Sequence, residues 1–174
     1  MANFFWSVSL ITVFIALLPI LTQADVKLIN NICNTTMDSG NCRSILNTQL
    51  QRKDVEKGIY GLLYISCEYT RNVAQITWSN INYLVRDAGK NPVALMIVKL
   101  CQSKYREATE SFSVAMNITK HHDSRQAVSH IRNGLEKVNE CNQVQHSTLL
   151  LNSYQKIVKS TDISFKVASF IAPL

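Results

Sequence analysis

Five cysteines carry the clearest potential for covalent chemistry in this 174-residue chain: Cys33, Cys42, Cys67, Cys101 and Cys141. Their spacing argues against a zinc site. No Cys-x-x-Cys occurs, and no histidine stands at zinc-finger distance from a cysteine pair. Disulfide formation is the chemistry left to them. Cys33 and Cys42 bracket a polar turn, Asn34 to Asn41, where a local bridge would staple two short elements. Cys101 and Cys141 fall in successive helical segments, a spacing that suits a bridge between helices. Sequence by itself leaves the pairing open, because an odd cysteine multiplies the alternatives. Cys67 lies in the apolar stretch Leu62-Leu63-Tyr64-Ile65-Ser66. It reads as a buried free thiol that packs as a small hydrophobe.

Other reactive side chains are thinly spread. His121-His122-Asp123 is the densest titratable cluster, and it falls in an expected loop where such residues are ordinarily solvated. There is no Gly-rich phosphate loop, no Gly-x-Ser-x-Gly elbow and no His-Glu-x-x-His. No carboxylate pair stands out for acid–base work. We therefore expect no catalytic residue, no cofactor and no metal. Two sequons, Asn34-Thr35-Thr36 and Asn117-Ile118-Thr119, make Asn34 and Asn117 candidates for glycosylation. The net charge of +6 is dispersed, with no basic run longer than Arg52-Lys53. Nucleic-acid binding wants a clustered stripe or a known module, and neither is present.

The elements that position these residues read as helices. Only five Gly and three Pro punctuate the chain, whereas a β-sandwich needs a turn every ~8–12 residues. Hydrophobic residues make up 47% and charged residues 17%, enough for a core and too little charge for disorder. No charged side chain precedes Asp25, and the apolar run Val8 to Leu18 is shorter than the ~20 residues of a membrane span. Thr22-Gln23-Ala24 places small residues at the two positions that precede cleavage. Residues 1–24 thus read as a signal peptide and 25–174 as one secreted domain. Residues 25–51 read as a helical hairpin with stripes Val26, Ile29, Ile32 and Ile45, Leu46. Residues 54–172 read as four long amphipathic helices. The first opens at Asp54 with a stripe through Val55, Ile59, Leu62, Ser66, Tyr69, Val73, Ile76, Asn80 and Leu84, broadened by Leu63, Trp78, Ile81 and Val85 and ending near Gly89. The second runs from Pro92 with Cys101, Tyr105, Ala108, Phe112, Ala115 and Thr119. The third opens at Asp123 with Val128, Ile131, Leu135 and Val138, and the last carries Leu150, Ile157, Thr161, Phe165 and Ala168. Four such stripes close an all-α, antiparallel up-and-down four-helix bundle behind a short hairpin.

The order of these landmarks resembles the plant invertase and pectin methylesterase inhibitor family. The matching features are Ile32-Cys33 with eight residues before Cys42, Gly61-Leu62-Leu63-Tyr64-Ile65, and the run Leu100-Cys101-Gln102-Ser103-Lys104-Tyr105-Arg106-Glu107-Ala108. Cys141, forty positions after Cys101, and the helix from Leu149 to Val158 complete the set. The resemblance implies a disulfide-stapled bundle with bridges Cys33–Cys42 and Cys101–Cys141. It also implies a secreted inhibitor of the cell wall or apoplast, with the vacuole as an alternative. Such an inhibitor covers the substrate cleft of a carbohydrate-active enzyme. Where some invertase inhibitors carry Pro-Lys-Phe, this chain has His121-His122-Asp123-Ser124-Arg125, and Ser39-Gly40 replaces a Pro often found before the second cysteine. Pectin methylesterase is accordingly expected as the target ahead of acid invertase, with the inhibitor acting as a monomer.

The polar face opposite the apolar stripes supplies the expected target interface: Lys104, Glu107, Glu110, Asn133, Glu136, Lys137 and Glu140. His121, His122 and His130 would make binding pH-sensitive in an acidic wall. Two other classes stand beside the inhibitor. A helical lipid or small-ligand carrier would need an internal cavity, and a secreted signalling ligand would need a membrane receptor.

Overall fold

The computed structural model describes residues 25–88, 91–144 and 147–172, so the expected signal peptide (1–24) and the helix stop at Gly89 lie outside the described residues. Among these residues the chain is all-helical. Residues 25–33 form α1. They are followed by α2 (Ser39–Leu46), the single turn α3 (Thr48–Gln51), α4 (Ile59–Asp87), α5 (Pro92–Thr119), α6 (Ser124–Val144) and α7 (Thr148–Ile171). The last four make the bundle, and α1–α3 make the hairpin. Disulfides join Cys33 to Cys42 and Cys101 to Cys141, while Cys67 is free and buried.

Local chemistry fixes the helix ends. Asn91 accepts hydrogen bonds from the backbone N–H groups of Val93 and Ala94, and Pro92 occupies the first helical position, which sacrifices no useful donor. Asp123 accepts from the N–H of Gln126 at 2.9 Å, as its capping-box spacing predicts, and α6 itself begins at Ser124. Asp38 caps α2 through Asn41. Helix α5 leaves in a tight turn: the N–H groups of Lys120, His121 and His122 donate to carbonyls three residues back. His122 closes that turn at φ 59°, a left-handed conformation a side-chain-bearing residue seldom takes.

Two expectations change. Asp54 does not open the first long helix. Gly58 takes φ 92°, which only glycine adopts without strain, and the helix starts at Ile59. Residues 52–58 form a strap whose Val55 is buried without being helical. The buried stripe of α4 is also shifted from the one expected. Leu62, Leu63, Ser66 and Ile81 are buried as read, but Cys67, Thr70, Ala74 and Thr77 complete the stripe, while Ile76 is 62% exposed. Many of the buried side chains on α4 and α7 are small and hydroxylated: Ser66, Thr70 and Thr77 on α4, and Ser160, Thr161 and Ser164 on α7. Their hydroxyls can be buried because each finds an acceptor. Thr70 donates to the Ser66 carbonyl, Thr77 to the Val73 carbonyl, and Ser164 to Ser66 Oγ at 3.0 Å.

The α5–α6 seam packs by the opposite rule, with large side chains. Tyr105, Phe112 and Ile131 are fully buried, and Gly134 makes room for the Phe112 ring. A Cβ at position 134 would stand 2.6 Å from that ring. The stripes expected on α5 held throughout, from Cys101 to Thr119. The hairpin is latched to α7: the Met37 N–H donates to Asp162, and Lys159 pairs with Asp38 at 3.0 Å.

Candidate functional site

The residues expected at a target interface converge along the groove between α5 and α6. The helices run antiparallel, so positions three or four apart on one meet positions three or four apart on the other. Three rungs result. Asn133 Nδ2 donates to Ser111 Oγ at 3.0 Å. Lys137 Nζ stands 3.8 Å from Glu107, and Lys104 Nζ stands 2.5 Å from Glu140. Lys104 also approaches Glu107 at 3.6 Å, and Lys137 approaches Glu140 at 2.9 Å. Ser103 donates to the second oxygen of Glu107.

Two lysines and two glutamates therefore alternate around a closed, electrically balanced square. All four side chains are partly buried, from 19% exposed at Lys104 to 35% at Glu107 and Glu140. The hydrogen bond from Lys104 holds the Glu140 carboxyl below its ordinary range, with Lys137 adding to the effect. Glu140 in turn raises the Lys104 ammonium. The Cys101–Cys141 bridge ties the two helices together at the same level. One step further along the register, Leu100 and Val144 continue the line as exposed apolar side chains. The arrangement presents a polar rail with an apolar end.

The structure sets the other interface candidates apart. Glu110 is exposed and, among the described residues, pairs with Arg106 at 4.0 Å. Glu136 is exposed and faces away from the rail. It borders a separate 500 Å³ groove between α6 and α7, with Arg132, Asp162, Phe165 and Lys166. Asn34 and Asn117 are both exposed, as glycosylation would require, and Asn34 accepts a hydrogen bond from Arg43. Cys67 is sealed from solvent, and burial pushes its thiol up to about 12, far from a reactive thiolate.

The histidine loop is more than solvated surface. His122 stacks on Tyr60, with ring centroids 4.2 Å apart and planes 15° apart, and its Nε2 lies 2.8 Å from Glu56. His121 is exposed and His130 half-buried on α6. Together with the strap, His122 frames a 420 Å³ cleft lined by Asp54, Val55, Glu56, Tyr60, Gly61, Tyr64, Thr119 and Lys120. Reading the sequence missed this cleft. The available signal was the pair Tyr60 and Tyr64, four residues apart and so on one side of a helix, with a glycine between them. Among the described residues, no cluster of His, Cys, Asp or Glu could hold a metal ion. None of the described helices is long and apolar enough to cross a membrane.

No protein-family model matches the sequence. No curated protein matches it either. Solved structures do match in fold. The crystal structure of mutant form A of a pectin methylesterase inhibitor from Arabidopsis superposes with a TM-score of 0.67 at 16% identity, covering 81% of this chain and 95% of that one. A pectin methylesterase inhibitor from Arabidopsis thaliana superposes at 0.61 and 17% identity, covering 83% and 96%. The chain thus has the helical-bundle fold of these inhibitors, which supports the resemblance in its sequence at the level of fold.

Proposed function

We propose that this chain is a secreted inhibitor of pectin methylesterase, released by cleavage after Ala24 and acting in the apoplast without catalysis of its own. The observation that carries this reading is its fold, shared with two solved pectin methylesterase inhibitor structures over most of each chain. The α5–α6 rail is the proposed contact, built from Lys104, Glu107, Asn133, Lys137 and Glu140. Glu110 and Glu136 lie at or beyond its margin. Its charges are already paired, so a target meets a preformed surface and little ordering entropy is lost on binding. The exposed Leu100 and Val144 supply apolar area beside the polar rail, the mixture that protein interfaces use. Inhibition on this reading is steric: a stiff pair of helices occupies the space a polysaccharide chain would need. The packed axis, occupied by Leu63, Ile81, Tyr105, Phe112, Ile131 and Ile157, favours this role over that of a carrier with an internal ligand. Glycans at Asn34 and Asn117 belong to the same proposal and would leave the rail uncovered, since Asn34 lies beyond α1 and Asn117 near the far end of α5.

The test titrates the oxidised protein against a pectin methylesterase and an acid invertase at about pH 5, where histidine charge is in play. Stoichiometric loss of pectin methylesterase activity supports the proposal. Loss of invertase activity alone would transfer the assignment, and full activity of both enzymes would refute inhibition. Lys137→Glu should then weaken inhibition by about tenfold or more, because it places like charges together at the contact.

A further inference from the structure

The cleft between the strap and the end of α5 has no part in the rail, yet it is the more elaborately built of the two. Residues 52–58 bury little apolar surface besides Val55 and would be expected to move. Instead they are tied down at several points. Arg52 pairs with both Asp54 and Glu68, Lys57 Nζ donates to the Arg52 carbonyl at 2.9 Å, and Glu56 meets His122, which in turn lies flat on Tyr60. These contacts hold open a mouth of 420 Å³, within the usual size of a small-molecule site.

Its lining alternates chemistry in a recognisable way. Tyr60 and Tyr64 project from consecutive turns of α4 and present aromatic rings. Lys120 Nζ stands 5.4 Å from the Tyr64 ring centroid and can donate into the cleft. Asp54 and Glu56 present acceptors. Both carboxylates in the lining are engaged, Asp54 with Arg52 and Glu56 with His122, while Lys120 lies over the Tyr64 ring. Two carboxylates against one ammonium disfavour an anion. Carboxylate acceptors, an ammonium donor and aromatic faces are what a ring of hydroxyls and C–H groups needs. Hydroxyls donate to the carboxylates and accept from the ammonium, and the C–H face stacks on an aromatic ring.

From this geometry we propose that the cleft is a binding site for a neutral pyranose sugar unit, held between Tyr64, Lys120 and Glu56. It stands apart from the inhibitor reading, since the rail and the cleft use different residues and are read in different assays.

The test is saturation-transfer NMR on the oxidised protein with neutral β-1,4-linked tetrasaccharides of glucose, galactose and mannose, and with tri-galacturonic acid as the charged comparison. Amide shifts are mapped in parallel. At least one neutral tetrasaccharide should bind saturably, with shifts centred on Gly61, Thr119 and Lys120. Tyr64→Leu and Lys120→Ala should each weaken it by about two- to tenfold, the size of one aromatic or charged contact. Lys120 is exposed, so its variant keeps the test valid if Tyr64→Leu fails to fold. Absence of saturable binding at about ten times the millimolar range, selective binding of tri-galacturonic acid, or binding that both variants leave unchanged would each overturn the proposal.

Discussion

The two long seams of the bundle solve one packing problem in different ways. The α5–α6 seam uses bulk: Tyr105 and Phe112 fill it, a disulfide crosses it, and a charged rail caps it. The α4–α7 seam uses small hydroxylated side chains: Ser66, Thr70, Ser160 and Ser164 are buried along it, Ser164 bonds Ser66 across it, and Thr70 and Ser160 bond carbonyls of their own helices. Bulk with a covalent tie makes a surface that keeps its shape under load. Small hydroxylated contacts resist less, since each net hydrogen bond contributes about 1 kcal/mol. The face proposed to meet a target is the stiffer of the two, as steric inhibition demands.

The largest effect should come from cutting the tie. Replacing Cys101 and Cys141 together with serine should cost about 4 kcal/mol by denaturant melting, and the shorter Cys33–Cys42 loop about 3 kcal/mol. A negligible loss on cutting the α5–α6 bridge would break the contrast between the seams. Gly134→Ala comes next. Helix propensity favours alanine by about 1 kcal/mol, but the new Cβ meets the fully buried Phe112 ring at 2.6 Å, an overpacking cost of about 1–3 kcal/mol. The expected result is a lower melting temperature, and a rise would show that the seam yields. On the other side, Ser164→Ala alone should cost about 1 kcal/mol, whereas Ser66→Ala with Ser164→Ala should cost little more, because the pair loses both partners at once. Additive losses would show that these hydroxyls act separately.

Acid provides a gentler probe. Arg52 holds the Asp54 carboxyl at about 2, and Glu140 and Asp38 are also held below the ordinary range by their hydrogen bonds to Lys104 and Asn41. Lowered carboxylates stabilise the fold above the unfolded value near ~4, and that contribution disappears as pH falls through the folded values. Melting temperature should therefore be flat above about pH 5 and fall progressively toward about pH 2. The smallest effect expected is that of Lys137→Ala on stability, below about 1 kcal/mol, because the rail is partly solvated. Its consequence should instead appear in inhibition.

Much of this architecture was legible beforehand, and the reasons are physical. The steps of three and four from Cys101 to Thr119 place large and small apolar groups on one face, so α5 could be read directly. The cap at Asn91-Pro92 fixed its start. The α4 stripe misled because Ile76 is apolar and Thr70 is not, yet buried hydroxyls that bond their own helix carry little penalty. Which side of α4 its neighbours cover is set by the bundle as a whole, which no local pattern encodes. Four of the interface candidates, Lys104, Glu107, Lys137 and Glu140, are joined in space because helical spacing and antiparallel register together determine their meeting. Glu136 is separated because the sequence shows which residues are polar and not which neighbouring groove they overlook. The strap cleft was hidden for a similar reason: its two walls are more than fifty residues apart in the chain, from Glu56 to Lys120.

The buried fifth cysteine has a consequence for how the molecule matures. Exchange among disulfides needs a thiolate to attack, and Cys67 offers none once α4 is seated. Burial thus shields both bridges of the folded chain from attack by this sulfur. Before that moment the same sulfur is a competitor for every partner. Correct oxidation becomes a contest of timing, in which the central helix must be tucked away before its idle thiol is drawn into the wrong bond.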